Sequence, residues 1–118
     1  MKLFAFACLL AASLAPLSAQ ETYRPGNGVS VPTIVKQVNP DYTSEAKAAR
    51  IEGNVLLECV VRPDGKVSDV AVIRSLDSVL GLDRQAVKAL RQWVFKPGQK
   101  DGKDVAVRLQ IEMKFTLQ

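Results

Sequence analysis

From Val105 to Leu117 apolar and other residues alternate without a break. Val105, Val107, Leu109, Ile111, Met113, Phe115 and Leu117 fall on one side, and Ala106, Arg108, Gln110, Glu112, Lys114 and Thr116 on the other. A helical period would scatter the apolar groups around a cylinder, whereas a period of two gathers them on one face of an extended strand. A strand this long needs neighbours to pair its backbone and an apolar layer over one face, with water on the other. That requirement governs how the rest of the chain is read.

Residues 54–62 are a second alternating run, with Val55, Leu57, Cys59 and Val61 on one face and Asn54, Leu56, Glu58, Val60 and Arg62 on the other. Pro63-Asp64-Gly65 predicts a hairpin turn: proline presets its φ, aspartate tolerates turn geometry and glycine can take positive φ. The return arm spans 66–74, with Val67, Ala71 and Ile73 on one side and Val70 and Val72 on the other. Two helices are expected to cover the sheet. Thr43 or Ser44 caps the first, which runs through Glu45 to Arg50 and ends before Gly53. Asp83 is the expected N-cap of the second, where Ala86, Val87, Leu90, Trp93 and Val94 form an apolar stripe continued by Phe95. Arg84, Lys88, Arg91 and Gln92 form its wet face, Pro97 and Gly98 stop it, and 99–104 reads as a polar loop. Trp93 is expected in the core. Upstream, Val31, Ile34, Val35 and Val38 make a short extended segment, where Pro32 argues against a central strand. Residues 20–30, with Pro25, Gly26 and Gly28, read as a flexible lead-in. The order predicts an α+β domain over 31–118, with two helices packed on a three- to four-stranded antiparallel sheet.

The N-terminus has a different composition. Lys2, an uncharged run from Leu3 to Leu17 and the small exit Ser18-Ala19 read as a secretory signal peptide over 1–19, cleaved after Ala19. The alternative is an uncleaved anchor, for which the run is short against the roughly 20 apolar residues of a spanning helix and is interrupted by Pro16. Cleavage removes Cys8 and leaves Cys59 alone, so an exported domain without an internal disulfide is expected. Cys59 lies in an apolar row and reads as a small buried hydrophobe.

Sixteen Lys and Arg stand against twelve Asp and Glu. The mild excess is spread along the chain, with no nucleic-acid signature. The chain contains no histidine, and with it goes the commonest general base and metal ligand. Cys59 has no His partner for nucleophilic chemistry, and the glycines form no phosphate loop. Asp64, Asp69, Asp77 and Asp83 form no convincing carboxylate pair; Asp101 and Asp104 supply too few ligands for calcium. No catalytic residue, cofactor or metal is expected, and the chain reads as a binding protein.

With these elements placed, a family pattern is visible: Pro40-x-Tyr42, Ala46, Gly53-x-Val55, Val61-x-x-Asp64-Gly65-x-Val67, Val70-x-Val72-x-x-Ser75, Leu82-Asp83-x-x-Ala86-x-x-Ala89, Trp93-x-Phe95-x-Pro97, and Gly102 before the last strand. In order and spacing this resembles the TonB C-terminal domain, over about residues 33–117. The resemblance implies a periplasmic domain linked to TonB-dependent transmembrane transport, in which TonB proteins couple the inner-membrane proton gradient to outer-membrane receptors importing siderophores, vitamin B12 or other nutrients. It implies capture of an extended receptor segment, or of another envelope protein, as a strand added to the sheet edge. Carried onto this chain, the docking strand is Ala106, Val107, Arg108, Leu109, Gln110, Ile111, Glu112 and Lys114, with Gln37, Val38 and Asn39 a second contact. The solvated Arg108, Gln110, Glu112 and Lys114 would tune specificity. Full-length TonB also has an uncleaved anchor, with a characteristic histidine, and a long proline-rich spacer. Against that pattern, the short apolar run and brief lead-in read as the binding end of an energy transducer without the means to transduce. The alternatives are a structural homodimer made by self-pairing of the last strand, and an anchored TonB-like transducer.

Overall fold

A computed structural model describes residues 21–117. The expected signal segment, 1–19, lies outside the described residues. The elements are β1 (Thr22–Tyr23), β2 (Thr33–Lys36), α1 (Ser44–Ala48), β3 (Gly53–Val61), β4 (Val67–Arg74), α2 (Leu82–Leu90), β5 (Val94–Lys96), β6 (Gly98–Lys100) and β7 (Lys103–Phe115).

The two alternating runs pair with each other. β3 and β7 form an antiparallel ladder that holds register from Gly53↔Phe115 to Val61↔Val107 without a shift. Period two then turns both apolar rows to the same side, where Val55, Leu57, Cys59, Val61, Val107, Met113 and Phe115 are buried. β4 pairs with the other side of β3 through the expected hairpin. Within the turn Gly65 donates its N–H to the Arg62 carbonyl and Asp64 accepts from the Lys66 N–H, at 2.8 and 2.9 Å. Gly65 has φ 86°, and a Cβ there would stand 2.2 Å from the Phe95 carbonyl oxygen. Turn geometry and close backbone approach both demand glycine.

Thr43 is the residue that caps α1. Its hydroxyl accepts from the Ala46 N–H at 3.2 Å and donates to the Leu80 carbonyl at 2.7 Å, tying α1 to the loop before α2. α2 lays Leu82, Ala86, Ala89 and Leu90 on the core and leaves Arg84, Lys88 and Arg91 in water. Its N-cap is Gly81, not the expected Asp83. Asp83 lies in the first turn, and its carboxylate reaches back to accept the N–H groups of Leu76 and Asp77, both at 3.0 Å, and the Ser75 hydroxyl. Asp77 reciprocates: it accepts from the Leu82 N–H at 3.1 Å, and from Val79 and Leu80 at 3.0 and 2.8 Å. These bonds, Leu80 foremost, hold the Asp77 carboxyl below its ordinary range against the opposing effect of burial. Two aspartates, each bonded to the other's end of the loop, set where α2 begins.

Three further expectations are corrected. The second helix does not continue to Phe95. It ends at Leu90, and Val94–Lys96 is a strand paired with β2. The Phe95 N–H goes to the Gly65 carbonyl at 2.8 Å, a bond that a helical Phe95 would have spent on its own helix. The loop 99–104 is mostly strand: β6 pairs with the start of β7 over Gly98↔Val105 to Lys100↔Lys103. The sheet is five-stranded and mixed, not purely antiparallel, because β1 pairs with β7 in parallel. The fold is nonetheless α+β with two helices. Trp93 is buried as expected, and its indole N–H donates to the Val38 carbonyl at 2.8 Å.

Replacing Asp83 by Ala strands Leu76 and Asp77 N–H groups at a buried corner. The expected loss is about 2–4 kcal/mol in urea unfolding at neutral pH; a loss within error of zero would show that the loop does not depend on this carboxylate. The Cys59 thiol is sealed in the core, and burial pushes its pKa up to about 11, with the Glu58 charge adding and Arg108 opposing. Because the folded pKa is raised above the ordinary 9.0, the thiol's contribution to stability is intact below pH 9 and is lost as pH rises from there towards 11. The stability advantage of the native protein over Cys59→Ala should therefore shrink across that window in urea titrations. A difference that stays constant would contradict the shift.

Candidate functional site

In the sheet order β1-β7-β3-β4, the two long strands with flanks left unpaired among the described residues are β4 and β7; β1 and β6 are edges of only two and three residues. An edge strand offers free N–H and C=O groups to an incoming chain, and bulges or charges are the usual means of denying them. The two flanks differ in that respect. β4 shifts register against β3 twice, between Leu56 and Leu57 and between Glu58 and Val60. Asp69, within it, has φ 52°. Such irregularities bend the strand and break the even spacing that a new partner needs. β7 is regular throughout its ladder with β3.

Along β7 the expected docking residues do not share one environment. Ala106 and Val107 pair with Thr22 and Tyr23 of β1, so this part of the flank is occupied by the chain itself. From Arg108 to Phe115 the described residues pair with β7 on the β3 side only. Leu109 and Ile111 pack partly against the core, while Gln110, Glu112 and Lys114 are exposed on the opposite face. Arg108 differs from these three: it is half-buried and its guanidinium lies 3.4 Å from the Glu58 carboxylate across the ladder. Val107 is wholly buried, so its side chain belongs to the core and only its backbone can serve an edge.

Gln37, Val38 and Asn39 lie elsewhere. Val38 and Asn39 line a cavity of about 310 Å³ with Pro40, Asp41, Gln85, Lys88, Ala89 and Gln92, and no residue of β7 borders it. Val38 is positioned by its carbonyl bond to Trp93. Gln37 and Asn39 are exposed. The two contact regions are separate features of the surface, not one continuous site.

The loop aspartates have structural partners. Among the described residues every buried side-chain nitrogen and oxygen has a hydrogen-bond partner, so none stands poised as an unpaired acid or base. No group of three His, Cys, Asp or Glu side chains among them could hold a metal ion. The arrangement offers backbone donors and acceptors along an edge. A feature near this edge that the sequence does not announce is β1: its two residues, Thr22 and Tyr23, are too few to show alternation and carry only a hint of strand propensity.

Comparison with known proteins agrees with this geometry. Residues 38–117 match the family described as Gram-negative bacterial TonB protein C-terminal. Protein TonB of Escherichia coli K12 is 31% identical over 87 residues, covering 74% of this chain and 36% of that protein. Protein TonB of Vibrio cholerae is 34% identical over 91 residues, covering 76% and 37%. The chain thus spans little more than a third of the curated relatives it matches. The solution structure of the Pseudomonas aeruginosa TonB C-terminal domain superposes with a TM-score of 0.61 at 27% identity, over 79% of this chain and 90% of that one. Family match, relatives and superposed fold together place this chain in the TonB C-terminal domain family.

Proposed function

We propose that this chain is a protein-binding module of the periplasm that serves TonB-dependent transport by taking an extended segment of an envelope partner, an outer-membrane receptor foremost, as an added strand along β7. The observation that carries the reading is the contrast between the two flanks: β7 is bulge-free and open from Arg108 to Phe115, and β4 is broken by register shifts. Backbone pairing supplies affinity in strand addition, and the alternating side chains supply selectivity. Gln110, Glu112 and Lys114 stand beside the incoming strand on the solvated face, with Arg108 steadied by Glu58. Cargo and catalysis play no part in this reading; the ligand is a backbone. No helix among the described residues is long and apolar enough to cross a membrane.

Adjacent residues of a strand point their N–H groups to opposite sides. Proline at Leu109 or at Gln110 therefore removes a donor from the open flank in one variant and from the β3 ladder in the other. The variant that keeps its far-ultraviolet circular dichroism and thermal midpoint should bind a synthetic peptide from the periplasm-facing segment of an outer-membrane receptor at least about tenfold more weakly, the cost of roughly one or two backbone hydrogen bonds. Unchanged affinity in a folded variant would remove β7 as the docking edge. A tight dimer in sedimentation, insensitive to the peptide, would instead mean that the edge pairs with its own copy.

A further inference from the structure

The open flank of β7 is not open along its whole length. Its first part is held by a segment of the same chain, in a parallel pairing where the other described ladders of the sheet are antiparallel. β1 contributes only Thr22↔Ala106 and Tyr23↔Val107, in parallel. Glu21, Thr22 and Arg24 are exposed and Tyr23 is half-buried, so the segment buries little apolar surface of its own. Its remaining contacts are surface ones. The Lys100 ammonium lies 4.8 Å from the centre of the Tyr23 ring. Arg24 reaches Glu58 at 3.8 Å with its own side chain 68% exposed. The Tyr23 hydroxyl donates to Glu21 at 2.9 Å. Cation–π and ion-pair contacts at such exposure are individually weak.

The chain immediately after β1 is held quite differently. Gly26 and Val29 exchange backbone hydrogen bonds of 2.9 and 3.1 Å. Val29 is buried and bridges to Lys100 of β6. Ser30 donates its N–H to the Gln99 carbonyl at 3.0 Å, and its hydroxyl accepts from the Gln99 N–H at 2.8 Å. A weakly held strand is thus joined through a tight turn at Gly26–Gly28 to a firm mooring. On the face away from the helices, Val60 and Ala106 are 4% and 7% exposed, and both border a cavity of about 170 Å³ together with Thr22, Arg62, Ser68 and Asp69. Removing β1 would open the Thr22 side of this cavity and free the edge backbone of Ala106 and Val107.

We propose that Glu21–Arg24 is an exchangeable strand that occupies the start of the docking edge in the free protein, so that a partner segment extending past Arg108 must displace it. The inference rests on the docking role of β7 set out above. Because the segment stays moored at Val29 and Ser30, displacement is an intramolecular competition: the strand is always present at high local concentration and lowers the apparent affinity of every ligand that uses Ala106 and Val107. Ligands confined to Arg108–Phe115 escape that competition, so β1 also discriminates by where along β7 a ligand pairs.

The test compares the native chain with a variant lacking residues 21–24 and with Tyr23→Ala/Arg24→Ala, which keeps the chain length while removing the ring and the guanidinium. The probe is the receptor-derived peptide in a length that pairs from Ala106 to Phe115, its reach checked by protection of the Ala106 and Val107 edge amides in the complex, in isothermal titration with amide hydrogen exchange of β7 followed by NMR. Both variants should bind the peptide at least about fivefold more tightly. In the free deletion variant the edge-facing amide at Ala106 or Val107 should exchange at least about tenfold faster, while the amides paired with β3 keep their protection. Equal affinity in all three proteins, or weaker affinity in the variants with the β3-paired amides still protected, overturns the exchange and leaves the docking edge standing. If the native chain and both variants all fail to bind, the docking role falls and the exchange falls with it.

Discussion

The β3–β7 ladder is the interaction on which the other features of this molecule depend. Its register runs unbroken from Gly53↔Phe115 to Val61↔Val107, and a slip of one residue would turn Val55, Leu57, Cys59 and Val61 to water and Glu58 into the core. Two amphipathic rows in phase give the helices one continuous apolar surface to cover. Tyr42 and Phe115 meet edge to face at 5.5 Å on that surface, and Trp93 lies over Phe95 at 6.0 Å. The helices are short, five and nine residues, below the length at which an isolated helix holds in water. They persist because the ladder gives them a place to pack and because Thr43, Asp77 and Asp83 tie their starts to the same loop.

The ladder also makes the two flanks of the sheet unequal. β3 is paired on both sides, so the chemistry of an open edge is pushed outward to β4 and β7. β4 matches β3 only by shifting register, and that irregularity protects its outer flank. β7 pays nothing of the kind: its regularity is required by the long run of pairs with β3, and the same regularity makes its other flank a fit template for a further strand. The docking edge proposed for β7 would thus be a by-product of the core pairing, with no cluster of polar or titratable residues needed to mark it. The parallel strand β1 shows that the template is usable, since the chain itself uses the first part of it.

Much of this was legible in residue order. The period-two runs, the Pro63-Asp64-Gly65 turn, the burial of Cys59 and the core place of Trp93 follow from local patterning, because a strand's face and a turn's φ are decided within a few residues. Spacing alone extends α2 too far, because Val94 and Phe95 continue its helical stripe. What overrides the spacing is a distant carbonyl, that of Gly65, offered to the Phe95 N–H. Asp83 departs from its expected capping place for a related reason: it is an excellent capping residue, but Ser75, Leu76 and Asp77 bring it donors from outside the helix. The outward-facing residues expected to tune specificity divide similarly. Gln110, Glu112 and Lys114 face solvent as patterning demands, whereas Arg108 is engaged by Glu58, a partner fifty residues away in sequence.

By itself the sequence determined the family, the α+β class, the two strands that build the sheet and the face each buries, since these follow from alternation, turn chemistry and motif order. Tertiary structure decided which flank of the sheet stays regular, how far the last strand remains unpaired, and that residues 22–23 lie along its beginning. Those outcomes depend on which backbone groups are left over once all others have paired. No single segment carries that information, because it is a property of the completed hydrogen-bond ladder.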